Sequence, residues 1–265
     1  MKNLTYILGF LLVFTITLSC EDFIDNPPED QISVNEFFKT ANDIENYVKK
    51  YYATFPSHGS ANLPISEDNS DNLILRTPNQ VLNGTRAPSN GQWIGQWEDI
   101  RSINILFDNL DNVTDEFSSY QQFLGEAHFF RAWFYFNLLT TYGDLPIYDT
   151  QLFPDDEKLL DPRSPRTDVV DFILADLDKS IEYLGLRTTT GNARLNKEAA
   201  LAFKLRVALF EGTWQKYHEG GVFGTPGANP NNYFQQAVSA GEELINGNYT
   251  KGIYNTGNPE MDYYS

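Results

Sequence analysis

The stretch "EAHFFRAWFYFNLLTTYG", Glu126 to Gly143, limits the fold more than any other part of the chain. It has helical composition, and its large apolar residues (Phe129, Phe130, Trp133, Phe134, Tyr135, Phe136, Leu138, Leu139) fall on every side of a 3.6-residue period. A surface helix carries one apolar stripe, whereas a helix apolar around its circumference has to be buried on most sides. The pattern therefore predicts a central helix over about Glu116 to Tyr142, enclosed by other elements. Gly143 can end it in a left-handed conformation, and Pro146 prevents a restart.

The rest of the chain supplies helices to enclose it. "SVNE" (Ser33 to Glu36) and "TAND" (Thr40 to Asp43) both fit a capping box. A first helix follows over about Ala41 to Thr54, with Ile44, Tyr47, Val48 and Tyr51 on one face. Residues 57 to 90 are rich in Ser, Asn, Gly and Pro and too long for a plain connection, which predicts a structured surface excursion. A second helix spans about Gln92 to Asn112, where Trp93, Trp97, Ile100, Asn104 and Phe107 recur at three- and four-residue steps. After the central helix come a fourth over Thr167 to Leu184, a fifth over Asn196 to Trp214 and a sixth over Asn231 to Asn246. The fifth should face inward along Ala199, Ala202, Phe203, Arg206, Val207 and Phe210. The sixth should do so along Phe234, Ala237, Val238, Gly241, Leu244 and Ile245.

A faint repeat runs through these helices. "EAHFFRAWFYF" and "EAALAFKLRVALF" both open Glu-Ala, and Phe-x-x-Ala occurs at Phe172/Ala175 and Phe234/Ala237. Small residues on one helix let a partner approach closely, and bulky ones fill the groove beyond, as in tetratricopeptide hairpins. The fold class is all-α: an irregular helical domain with tetratricopeptide-like helix pairs and long loops.

The N-terminal end reads differently. Lys2 and the apolar run Tyr6 to Leu18 have the pattern of a secretory signal, too short to span a bilayer comfortably. The one cysteine, Cys20, follows at once, and then comes an acidic, Pro-containing run. This resembles a bacterial lipoprotein signal, in which the cysteine becomes the lipid-bearing N-terminus. Thr17 stands where such signals usually have Leu, and a simple signal peptide beside an incidental cysteine is the other reading. The expected organisation is a signal peptide over 1–19, an acidic tether over 20–32 and a helical domain over 33–265.

Composition narrows the chemistry. The formal charge of -17 and the lack of a basic stripe argue against nucleic-acid partners. One cysteine excludes an internal disulfide framework and a Cys-rich zinc site. His58, His128 and His218 are far apart, and His128 reads as a structural histidine inside the central helix. The acidic run Asp108, Asp111, Asp115 and Glu116 lacks the order of a calcium loop and reads as a solvated helix end. "HEGGVFGTPGANPNN" lacks a P-loop ending and reads as a loop. No enzymatic motif stands out, so neither catalysis nor a cofactor is expected.

Aromatic residues are more informative. A sugar packs its C–H face on an indole or phenol ring, and its hydroxyls need amide, carboxylate or guanidinium partners. "SEDNSDNLILRTPNQVLNGTRAPSNGQWIGQW", residues 66 to 97, offers both. Asp68, Asn69, Asp71 and Trp93 are the candidate ligand-binding residues. The bland readings are ordinary turn formers for the first three and core packing for Trp93 and its helical neighbour Trp97.

"FLGEAHFFRAWFYFNLLTTYGDLPIY", Phe123 to Tyr148, resembles the signature helix and turn of the SusD/RagB family of outer-membrane nutrient-binding lipoproteins. The matching elements are Glu126-Ala127, Arg131-Ala132, Tyr135-Phe136, Leu138 and Tyr142-Gly143-Asp144-Leu145-Pro146. "RTDVVDFILADLDKSIEYL", "RLNKEAALAFKLRVALFEG" and "FQQAVSAGEELINGNY" follow in the family's order, and "CEDFIDNPPEDQIS" and "WEDIRSINILFDNL" fit upstream. The resemblance implies a helical fold with tetratricopeptide-like pairs and no enzymatic activity. It implies capture of a glycan, or alternatively a peptide, outside the cell for a SusC-like TonB-dependent β-barrel transporter. It also implies attachment to the outer membrane through lipid on Cys20, facing outward. The motif residues are mostly packing residues and identify a scaffold, not a ligand. A helical scaffold for protein assembly and a cell-wall glycosidase are alternatives of other classes. Family members usually run much longer, so the expectation is a chain truncated at its C-terminus, with an apolar face exposed and marginal stability alone.

Overall fold

A computed structural model describes residues 37–55, 80, 82–85, 91–191, 193–247, 249 and 257–258. The chain divides into two units, Met1–Phe37 and Phe38–Ser265. Nearly all of the first unit lies outside the described residues, as do Cys20 and the Ser33–Glu36 capping box. The second unit contains α1 (Ala41–Lys49), α2 (Gly91–Asp108), α3 (Phe117–Tyr142), α4 (Arg166–Tyr183), the one-turn α5 (Arg187–Thr190), α6 (Lys197–Tyr217) and α7 (Pro230–Asn246). Short 3-10 turns follow α1 and α2 and break the loop before α4. The described residues contain no strand, and Leu145 and Ser164 form an isolated antiparallel bridge.

The helix α3 is central, as its aromatic circumference requires. Ala127, Phe130, Ala132, Phe134, Tyr135 and Leu139 are all fully buried. The helices α1 and α2 pack on α3, α4 packs beside it, α6 packs on α4 and α7 on α6. Phe203 and Phe210 of α6 also reach α3, meeting Phe136 with ring centroids 5.5 Å away in each case. Each such aromatic or Leu side chain taken fully from water contributes roughly 1.5–3 kcal/mol. Gly143, at φ 75°, ends α3 and donates its N–H to the Leu139 carbonyl.

Local signals place the other elements. Thr40 caps α1: its hydroxyl accepts from the Asp43 N–H, and the Asp43 carboxylate accepts from the Thr40 N–H at 2.8 Å. The pairing of α6 with α7 depends on small residues at the crossing. Gly212 faces the Phe234 ring and Gly241 faces Leu205, and a Cβ on either would come within 2.9 Å of that partner. The close approach is made by these two glycines and not by the alanines of the repeat.

Two inward stripes differ from expectation. On α6, Ala202 and Arg206 are exposed, while Ala200, Leu201, Val207, Ala208 and Glu211 are buried. This helix is held between α4 and α7, so it buries two faces rather than one stripe. On α7, Val238 and Ile245 are exposed, and Tyr233 and Ala240 are buried in their place.

Candidate functional site

The helix α2 has one face of Trp93, Trp97, Ile100 and Asn104, set by steps of four, three and four residues. Across from it runs the chain that leaves α3. Gly143 turns that chain back, Pro146 holds it out of helix, and the N–H of Ser164 bonds to the Leu145 carbonyl at 2.9 Å to close the loop's base. Between the two lies a cleft of ≈ 510 Å³, walled on the loop side by Pro146, Tyr148, Thr150, Leu152 and Leu159.

Trp93, Trp97 and Tyr148 are the aromatic residues among those that line this cleft. The Trp93 and Trp97 rings meet edge to face with centroids 5.4 Å apart. Trp93 meets Tyr142 at 5.0 Å, and Trp97 contacts Tyr135 at 5.6 Å and Tyr148 at 5.3 Å. Trp93, Trp97 and Tyr148 are each half-buried, and the Trp97 indole nitrogen is buried without a hydrogen-bond partner among the described residues. The guanidinium of Arg163 lies 5.0 Å from the Trp93 ring centre. Glu98 and Arg101, both at the rim, supply charge there. Burial pushes the Tyr148 hydroxyl upward from its ordinary pKa, with Asp161 adding to the effect and Lys158 opposing it. It therefore stays protonated at neutral pH and can both donate and accept. The cleft thus combines half-buried aromatic residues and apolar walls with a few polar groups at its edge, a lining suited to a ligand that has both apolar and hydrogen-bonding surface.

Of the residues singled out in the sequence, Trp93 stands in this cleft, with Trp97 beside it. Asp68, Asn69 and Asp71 lie outside the described residues. Tyr148 and Arg163 were not singled out. Tyr148 belongs to no periodic helix, and its place opposite Trp97 follows from the turn at Gly143.

Several charged residues of the central stretch are committed elsewhere. Arg131 and His128 both bond to the buried Asp176, and the His128 ring stacks on Phe107 at 4.4 Å. This matches the reading of His128 as a structural histidine. Glu126, fully buried, receives two bonds from Arg194, each at 2.8 Å. Asp108 and Asp115, in the acidic run, accept the backbone N–H groups of Gln151 and Ala41. They fasten neighbouring segments, a task their spacing alone does not reveal.

Comparison with known proteins gives a consistent picture. A SusD-like family model, described as starch-binding associating with outer membrane, matches residues 22–209. A SusD-like protein of Formosa agariphila is 24% identical over 216 residues, covering 79% of this chain and 42% of that protein. A crystal structure of a SusD-like protein from Bacteroides fragilis superposes with a TM-score of 0.67 at 24% identity, over 89% of this chain and 43% of that one. A laminarin-binding SusD-like protein superposes with a TM-score of 0.57 at 20% identity, over 79% and 44%. The chain therefore spans less than half the length of each of these relatives.

Proposed function

The chain belongs to the SusD-like family, and from that premise we propose that it binds glycans in the cleft between α2 and the 146–159 loop. The observation that carries this reading is the set of half-buried aromatic residues Trp93, Trp97 and Tyr148 that line the cleft. Stacking against sugar C–H faces is the use to which such an arrangement is suited, and the laminarin-binding neighbour supports a glucan as one ligand class. Binding proceeds without turnover. The Cys20 side chain bears lipid and holds the protein at the outer membrane, facing outward. The residues 20–32 act as a tether, and a SusC-like TonB-dependent transporter receives the ligand. Tethering both partners to one membrane raises the effective concentration of each for the other.

Soluble laminarin and xyloglucan oligosaccharides, titrated against the protein and its Trp93→Ala variant, test the site. Loss of binding in a variant with unchanged far-UV circular dichroism is the expected result. Equal binding by both proteins would show that the ligand sits elsewhere, and release of reducing ends would contradict a purely binding role. Peptide capture is the second reading, favoured by the apolar side chains of Ile94, Ile100, Leu152 and Leu159 in the same cleft. Titration with peptides in the same format separates the two.

A further inference from the structure

The outer wall of the cleft is irregular backbone, and irregular backbone needs partners for its polar groups. Tyr148, Asp149 and Thr150 find them in three side chains of the helical core. The Asn104 amide nitrogen donates to the Tyr148 carbonyl at 2.9 Å and to the Thr150 carbonyl at 3.0 Å. Arg131 Nη1 donates to the Asn104 amide oxygen at 2.9 Å and to the Asp149 carbonyl at 3.4 Å. The Tyr135 hydroxyl donates to the Tyr148 carbonyl at 3.1 Å and accepts the Tyr148 N–H at 2.8 Å. Asn104, Arg131 and Tyr135 are all buried, and Asp176 holds the Arg131 guanidinium from its other side.

This bonding pattern separates what Asn104 touches from what it does. It lines the cleft, yet both of its donor hydrogens are used by loop carbonyls and its oxygen is used by Arg131. Little is left for a ligand. We infer that Asn104 and Tyr135 are positioning residues of the glycan cleft: they fix the Tyr148 backbone, and through it the distance between the Tyr148 ring and Trp97. The inference rests on the cleft being the ligand site. A site whose supporting groups are loosened by about 1 Å loses affinity even when every contacting side chain is still present.

The sequence places these residues on two helices and the wall they hold on a third segment. Asn104 lies on the inner face of α2, Tyr135 on α3 and Tyr148 past the turn at Gly143. No local pattern in any one segment announces the relay, and it becomes visible only when the loop returns across α2.

The test uses the full chain with Asn104→Asp, Tyr135→Phe, Trp93→Ala and a remote control, Arg194→Gln, whose ion-pair partners Glu126 and Glu45 do not line the cleft. Asn104→Asp keeps an acceptor for Arg131 but sets a carboxylate against two carbonyl oxygens. Affinity for a laminarin-derived oligosaccharide is measured well below each variant's melting midpoint, beside amide exchange over residues 145–152. Asn104→Asp is expected to weaken binding by about tenfold or more and to speed exchange in that segment, with Tyr135→Phe following in the same direction. Arg194→Gln should lower the midpoint while leaving affinity and exchange in that segment unchanged. The inference is overturned if Asn104→Asp binds like wild type while Trp93→Ala loses binding. Loss of affinity by Arg194→Gln in proportion to its midpoint also overturns it, because the effect would then be general destabilisation. If Trp93→Ala binds like wild type, or wild type binds no probe, it is the glycan site that fails. Exchange then decides the positioning claim, which unchanged protection over 145–152 in Asn104→Asp defeats.

Discussion

Arg131 of α3 and Asp176 of α4 meet through two parallel hydrogen bonds, Nε to Oδ2 at 2.7 Å and Nη2 to Oδ1 at 2.8 Å. Both side chains are buried, and His128 Nδ1 lies 2.8 Å from the same carboxylate. Burial pushes the Asp176 carboxyl up. The charge and hydrogen bonds of Arg131, with those of His128, outweigh that effect and hold it below the ordinary carboxylate range. Asp176→Asn should therefore cost about 3–5 kcal/mol at neutral pH, since it leaves a buried guanidinium without its counter-charge. The stability from a depressed carboxyl is complete above the unfolded-state value of about 3.9 and is lost as pH falls through the lower folded-state value. Urea unfolding of wild type and variant should show a gap that narrows below about pH 4. A gap that stays constant into strong acid would contradict this account.

At the α6–α7 crossing, Gly212→Ala would bring a Cβ within 2.8 Å of the Phe234 ring. Overpacking of this kind costs about 1–3 kcal/mol. Among the described residues, no atom lies within 4 Å of the place where a Cβ on Gly95 of α2 would stand. Gly95→Ala should therefore stabilise by up to about 1 kcal/mol. Thermal midpoints that shift in opposite directions are the expected outcome. Destabilisation by both substitutions would mean that backbone conformation, not space at the crossing, sets the effect.

Thr40 gives α1 its cap with a side-chain oxygen 3.3 Å from the Asp43 N–H. Thr40→Ala should cost about 1 kcal/mol, and Thr40→Ser should recover most of it. Chemical denaturation of the three proteins checks the order, and a Ser variant no better than Ala would remove the hydroxyl from the explanation.

The anchoring proposal makes a cellular prediction. Cys20→Ala should move the protein from the membrane fraction to the soluble fraction after cell breakage. Membrane retention of that variant at the wild-type level would exclude lipid on Cys20 as the anchor.

The helices were legible in the sequence because their signals are local. The aromatic circumference of α3, the Thr40–Asp43 cap and the stop at Gly143 each depend on residues within a few positions of one another. The burial of Ile44, Val48 and Ile100 likewise follows from period alone. The stripes on α6 and α7 were less legible because which face is inward depends on the neighbour, and α6 has neighbours on two sides. Trp93 could be found by its type and its position near a loop. Its opposite wall could not, because Tyr148 reaches Trp97 only through a turn and hydrogen bonds to side chains 44 and 13 residues away.

Glu126 and Arg131 have one more consequence for α3. Five residues of helix separate them, which is a rotation of about 140° around the axis. One faces Arg194 and the other faces Asp176. A cylinder covered in phenyl and indole rings has little reason to prefer one angle of spin over another, because apolar attraction is non-directional. Two buried charges of opposite sign, pointing to different sides and each paired with a counter-charge on another segment, remove that freedom. Spinning α3 by a single residue would strand both charges in hydrocarbon, so the pair acts as an angular index for the helix about which the others assemble.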